Sequence, residues 1–168
     1  MLIISDTNIP SSFAAGDALP LLFRLFPNTT ILVPQAVHQE LQTGLAYGQQ
    51  HLASVLQAFV NGKLQIISLS NHEQESAAKL PAKLGLGERE AIATTKSRHA
   101  RLLSNDKQAL RYCKQNQVNV IDLPLLLRLL WKRRIISQAE VRMIIDKMKV
   151  VENLQLSQKT EAIIFAPR

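Results

Sequence analysis

Thirteen acidic residues are spread over 168 positions, few enough to take one at a time. Asp6 follows an apolar run at residues 2–5, Asp106 follows residues 101–104, and Asp122 follows residues 118–121. If those runs are parallel strands, the three carboxylates share one rim of the sheet. Glu40 comes three residues after Val37 and beside Leu41, at the edge of an apolar helix face. Glu88 lies in the first turn after Gly87, four residues before Ile92, and shares a face with that core residue. Glu90 is roughly 200° further around a helix of 3.6 residues per turn, and its neighbours Thr94 and Arg98 mark that side as a solvated face.

Each acid alone has a structural reading. Asp6 can cap a turn, and Asp106 and Glu88 can offset a helix dipole from its first turn. Four carboxylates drawn within a few ångströms are another matter, because each closest pair repels by up to about 4 kcal/mol at intermediate dielectric. A cation relieves that repulsion. Oxygen ligands without histidine or cysteine select Mg²⁺ or Mn²⁺. The four histidines (His38, His51, His72, His99) lack metal-ligand spacing and read as surface or turn residues.

The elements that must position these acids follow from the hydrophobic pattern. Strand-length apolar runs occur at 2–5, 29–33, 64–69, 101–104 and 118–121. Helical periods fill about 14–26, Pro34 to near Gly44, 47–60, Gly85 to Arg98, 106–116, 123–132 and 137–149. Thr7–Pro10 reads as a turn, and the residues after Leu69 as a polar connection. Short strands alternating with helices predict an α/β fold with a central, mostly parallel sheet flanked by helices. One domain is expected over residues 1–150, with a tail at 151–168 that packs on it or extends from it.

Composition narrows the class. Hydrophobic residues make up 46% and charged residues 20%, which supports a buried core and excludes wholesale disorder. The single cysteine, Cys113, cannot form an internal disulfide. The opening residues have no basic region of a signal peptide, and the longest greasy runs are interrupted by Arg24 and Arg128. A cytoplasmic protein without a membrane partner is expected. Residues 1–78 carry two basic and five acidic side chains, a balance of −3; residues 79–168 carry 18 and eight, a balance of +10. The basic half suits a polyanionic partner. With aromatics at only 5%, an exposed stacking platform is not its means of binding. Phosphate loops ending in Lys-Ser/Thr and His-Glu-x-x-His are both missing from the sequence.

Four segments together resemble a known family: Ser5-Asp6-Thr7-Asn8, Val33-Pro34-Gln35-Ala36-Val37-His38-Gln39-Glu40-Leu41, Leu86-Gly87-Glu88-Arg89-Glu90-Ala91-Ile92-Ala93, and Leu102-Leu103-Ser104-Asn105-Asp106. In order and spacing, from about residue 2 to residue 135, they look like the PIN domain, in a prokaryotic branch close to the VapC-type toxins. The resemblance implies a metal-dependent ribonuclease, the toxin of a toxin–antitoxin pair. Its Mg²⁺ or Mn²⁺ ligands and catalytic acids would be Asp6, Glu40, Glu88 and Asp106. Asn8 and Ser104 would orient aspartates, and Arg111 and Lys114, following Asp106 on one helix, are placed to reach an RNA backbone. The implied partners are RNA, a small antitoxin-like protein and a second copy of the chain. The branch often has two aspartates where this chain has Asn105-Asp106, and Gly-Thr where it has Asp122-Leu123. Asp122 is thus a substitute ligand or outer acid, or a helix cap before Leu123-Pro124. These departures motivate an alternative: a PIN-like module that binds nucleic acid or protein without turnover.

Overall fold

The computed structural model describes residues 1–167. Five strands form one all-parallel sheet: β1 (Ile3–Ser5), β2 (Ile31–Pro34), β3 (Leu64–Ile67), β4 (Arg101–Leu103) and β5 (Val120–Ile121), in the order β3-β2-β1-β4-β5. All five match the apolar runs of the sequence. β1 is central. The chain leaves it first toward β2 and β3, then returns to its other side as β4, pairing Ile3 with Arg101 and Ser5 with Leu103. The crevice at such a change of direction opens at the carboxyl ends of the strands, where Asp6 and Ser104 stand.

Successive strand residues point to opposite faces, and the core divides accordingly. Ile3, Ile31, Val33, Leu103 and Ile121 join the larger cluster, beneath α1 (Asn8–Ala15), α2 (Leu19–Leu25), α3 (Gln35–Ala46), α4 (Leu52–Val60), α8 (Leu123–Lys132) and α9 (Gln138–Glu152). Ile4 and Leu102 face the smaller cluster, beneath α6 (Leu86–Ser97) and α7 (Lys107–Gln115), with Ile92, Ala109 and Cys113 at its centre. Cys113 is buried, as its apolar neighbours imply. No helix among the described residues is long and apolar enough to cross a membrane.

The sequence reading misses three helices or their limits. Residues 8–10 are not a turn but the start of α1; Pro10 sits in its first turn, where no intrahelical N–H is required. The period expected over 14–26 divides at Gly16–Ala18 into α1 and α2. The polar stretch after Leu69 holds α5 (Asn71–Ala78), opened by a reciprocal capping box between Ser70 and Glu73. In the tail, α10 (Gln158–Phe165) packs against α8: Ile164 is fully buried, and Trp131 donates its indole N–H to the Ile164 carbonyl at 2.9 Å.

Candidate active site

Asp6 continues the sheet ladder just beyond β1, donating its backbone N–H to the Leu103 carbonyl at 3.1 Å. Its carboxylate is buried and doubly held: Oδ1 accepts the Asn8 backbone N–H at 2.9 Å, and Oδ2 accepts the Ser104 hydroxyl. The same Ser104 oxygen accepts the backbone N–H of Asp106 at 3.3 Å. One buried serine therefore fixes both strand-end aspartates. Burial pushes Asp6 up to about 7, against the Ser104 and Asn8 hydrogen bonds and with a further push from the Glu88 charge.

Glu40 reaches the site from the first turns of α3. Its carboxylate accepts the Thr7 hydroxyl and, at 3.1 Å, the backbone N–H of Gly87 in α6. Position 87 has to be glycine for this approach, since a Cβ there would stand 2.7 and 2.8 Å from the two Glu40 oxygens. Glu90 makes the reciprocal bond, accepting the Ala36 N–H at the start of α3 at 3.1 Å. The N-termini of α3 and α6 thus clasp each other through two carboxylates, each satisfying an amide that has no partner within its own helix. Glu90 is not on a solvated face; neither is Thr94, which is fully buried, and Arg98 is bound to Glu73.

Glu88, in the first turn of α6 beside Gly87, is half-buried. Its carboxyl is raised above the usual range, first by burial; its own amide and Gly85 lower it, while the charges of Glu40 and Asp106 raise it. Asp106 itself is the N-cap of α7, accepting the Ala109 N–H at 2.7 Å. Asn105 lies between it and Ser104, half-buried. Asp122 takes the helix-cap role, capping α8 through the Leu125 N–H at 3.0 Å. Arg111 and Lys114 are exposed on α7.

A family model described as PIN domain (DUF3368) matches residues 2–164. The chain belongs to the PIN-domain family. Among solved structures, it is similar to the crystal structure of VapBC2 from Rickettsia felis bound to a DNA fragment from their promoter. The TM-score is 0.54 and the identity 20%, over 73% of this chain and 98% of that one. At that identity the likeness speaks for the fold. No curated protein matches significantly.

The donors of this PIN domain suit a hard divalent cation: all are carboxylates, and none of the four is paired with Lys or Arg among the described residues. The set is open rather than closed, because no three acidic, histidine or cysteine side chains among the described residues come within joint reach of one ion. A cleft of about 900 Å³ is lined by Thr7, Asn8 and Glu40 together with Ser11, His51 and Glu152. Sequence reasoning missed Ser11, His51 and Glu152. His51, in the turn that opens α4, is half-buried in the cleft wall. Glu152 belongs to α9, which ends where Asn153 turns left-handed at φ 55°. Its carboxyl is raised by burial, against hydrogen bonds from Ser12 and Ser11 and the charge of His51. Sequence periodicity sees neither, because their partners are remote in the chain.

Proposed function

We propose that this PIN domain is a divalent-metal-dependent endoribonuclease, the toxin of a toxin–antitoxin pair, working in the cytoplasm. The observation that carries the reading is the gathering of four acids at one end of the sheet: the Ser104 hydroxyl ties Asp6 to Asp106, Glu40 is bonded to the Gly87 amide next to Glu88, and no Lys or Arg among the described residues pairs with any of the four. Asp6, Glu40, Glu88 and Asp106 would hold Mg²⁺ or Mn²⁺, with no more than two of them on any one ion as they stand; the metal when bound supplies the positive charge that activates water and steadies the leaving oxygen of an in-line phosphodiester cleavage.

The chain's own contribution is positioning. Ser104 and the Asn8 amide lock the Asp6 carboxylate, while Thr7 and the Gly87 amide lock Glu40, so neither must reorganise when substrate arrives. Asn105 and Asp122 support the rim. Arg111 and Lys114 lie on the helix that Asp106 caps and contact the RNA backbone, which neutralises phosphates without reading sequence. A small antitoxin-like protein and a second copy of the chain complete the set of partners.

Purified protein is expected to cleave single-stranded RNA with Mn²⁺ and not with chelator. Cleavage by Asp6→Ala at the wild-type rate would overturn the assignment. A second reading, binding without turnover, is favoured by the open ligand set and by the use of Asp106 as a helix cap. It predicts RNA binding with no cleavage under any divalent ion. A metal-loaded site stabilises the fold by about 3 kcal/mol at a hundredfold excess over Kd, so Mn²⁺ raising the Tm of wild type but not of Glu88→Gln supports the nuclease.

A further inference from the structure

Two adjacent hydroxyls on α1, one turn beyond Asn8, face groups from distant parts of the chain. Ser11 Oγ lies 3.1 Å from His51 Nε2, at the start of α4. Ser12 donates its hydroxyl to the carboxylate of Glu152, at the end of α9. Ser11, His51 and Glu152 line the same cleft as Glu40. Glu152 has no Lys or Arg partner among the described residues.

A carboxylate facing a cleft meant for RNA repels phosphates, so its ligand must bring N–H donors instead. Two ionised oxygens offer about four acceptor positions, more than the Ser12 hydroxyl fills. We propose that Glu152 and His51 form a base-reading subsite for guanine in single-stranded RNA; this rests on the nuclease reading above. Guanine presents N1–H and its N2 amino group side by side, matching the two oxygens of a carboxylate. Uracil presents a single N3–H flanked by carbonyl oxygens, which a carboxylate repels. His51, pinned at Nε2, offers an aromatic ring for the unstacked base to lie against. Ser11 is three residues from Asn8, about 4.5 Å along the helix, so the subsite receives a nucleotide neighbouring the one at Glu40.

The test measures binding, apart from cleavage. In chelator, fluorescence anisotropy follows labelled oligouridine with one central guanosine, with inosine in its place, or with uridine throughout. Wild type is expected to bind the guanosine oligomer roughly ten- to hundredfold more tightly than oligouridine, the span of one bidentate base contact. Inosine, lacking the N2 amine, falls between. Glu152→Gln should bind all three alike, whereas Ser12→Ala, which removes the latch and keeps the acceptor, should retain the preference. Wild type binding the three equally overturns the subsite, as does a Glu152→Gln protein that still prefers guanosine. Cleavage of RNA in Mn²⁺ without any guanosine preference removes the subsite and leaves the nuclease; failure to bind or cleave any of the oligomers removes both.

Discussion

Asp6 shows what one buried carboxylate does to a small protein. The sequence marks it as a strand-end acid among mutually repelling carboxylates; in the fold, burial is the largest cause of its raised pKa and the Glu88 charge a lesser one. Its folded value, about 7, exceeds the ordinary 3.8, so the folded state holds the proton more tightly. Stability from this residue is full below 3.8 and is lost as pH rises through about 7. In chelator, Asp6→Asn should therefore stabilise the protein above that pH, by up to about 4 kcal/mol, and give no such gain in acid. Added Mn²⁺ should favour wild type and not the variant. Urea denaturation across pH, with and without metal, checks both; an Asp6→Asn protein less stable than wild type at alkaline pH would show that the charge is compensated locally. Residues such as Glu152 and His51 could not be valued from the sequence, since their significance lies in serines about 140 and 40 positions away.

The strands and most helices were legible because apolar period and burial agree in them: each of the five apolar runs became a strand of the parallel sheet. The elements missed are those whose signals are polar. α5 has one buried apolar residue, Ala77, and is held by its cap and by Glu73, whose carboxylate takes two N–H groups of Arg98 at 2.8 and 2.9 Å. The motif Ser70-x-x-Glu73 was present to be read as a helix start. Arg98 holds the Glu73 carboxyl down at about 2, below the ordinary 4.5. A depressed acid stabilises the fold above its unfolded value and stops doing so as pH falls through the folded one. The stability gap between wild type and Glu73→Gln should thus be constant at neutral pH and narrow from 4.5 toward about 2. Thermal melts across that range measure it; a gap that stays constant in acid would mean that the ion pair contributes nothing to the fold. The clasp between α3 and α6 escaped the sequence for a related reason, as helix phase alone sends Glu90 outward and only the packing angle returns it to Ala36.

At the scale of the whole molecule, charge is divided along the chain, −3 over residues 1–78 and +10 over residues 79–168. Two copies can oppose unlike halves, an arrangement that salt weakens because screening shortens with ionic strength. Light scattering at micromolar concentration should report about twice the 18.8 kDa chain mass at low salt and a lower average in high salt; a monomer throughout would remove the dimer. The sheet has a further consequence, one of timing. Its central strand is the first to be synthesised, yet β1 waits for β4, and Asp6 meets the hydroxyl that orients it only across 98 residues of chain. Such distant parallel pairings are slow to form, since loop closure precedes any compensating contact. A nascent chain on the ribosome therefore carries its most deeply buried acid unassembled until more than 100 residues have emerged. The acidic centre comes into being late, and all at once with the fold.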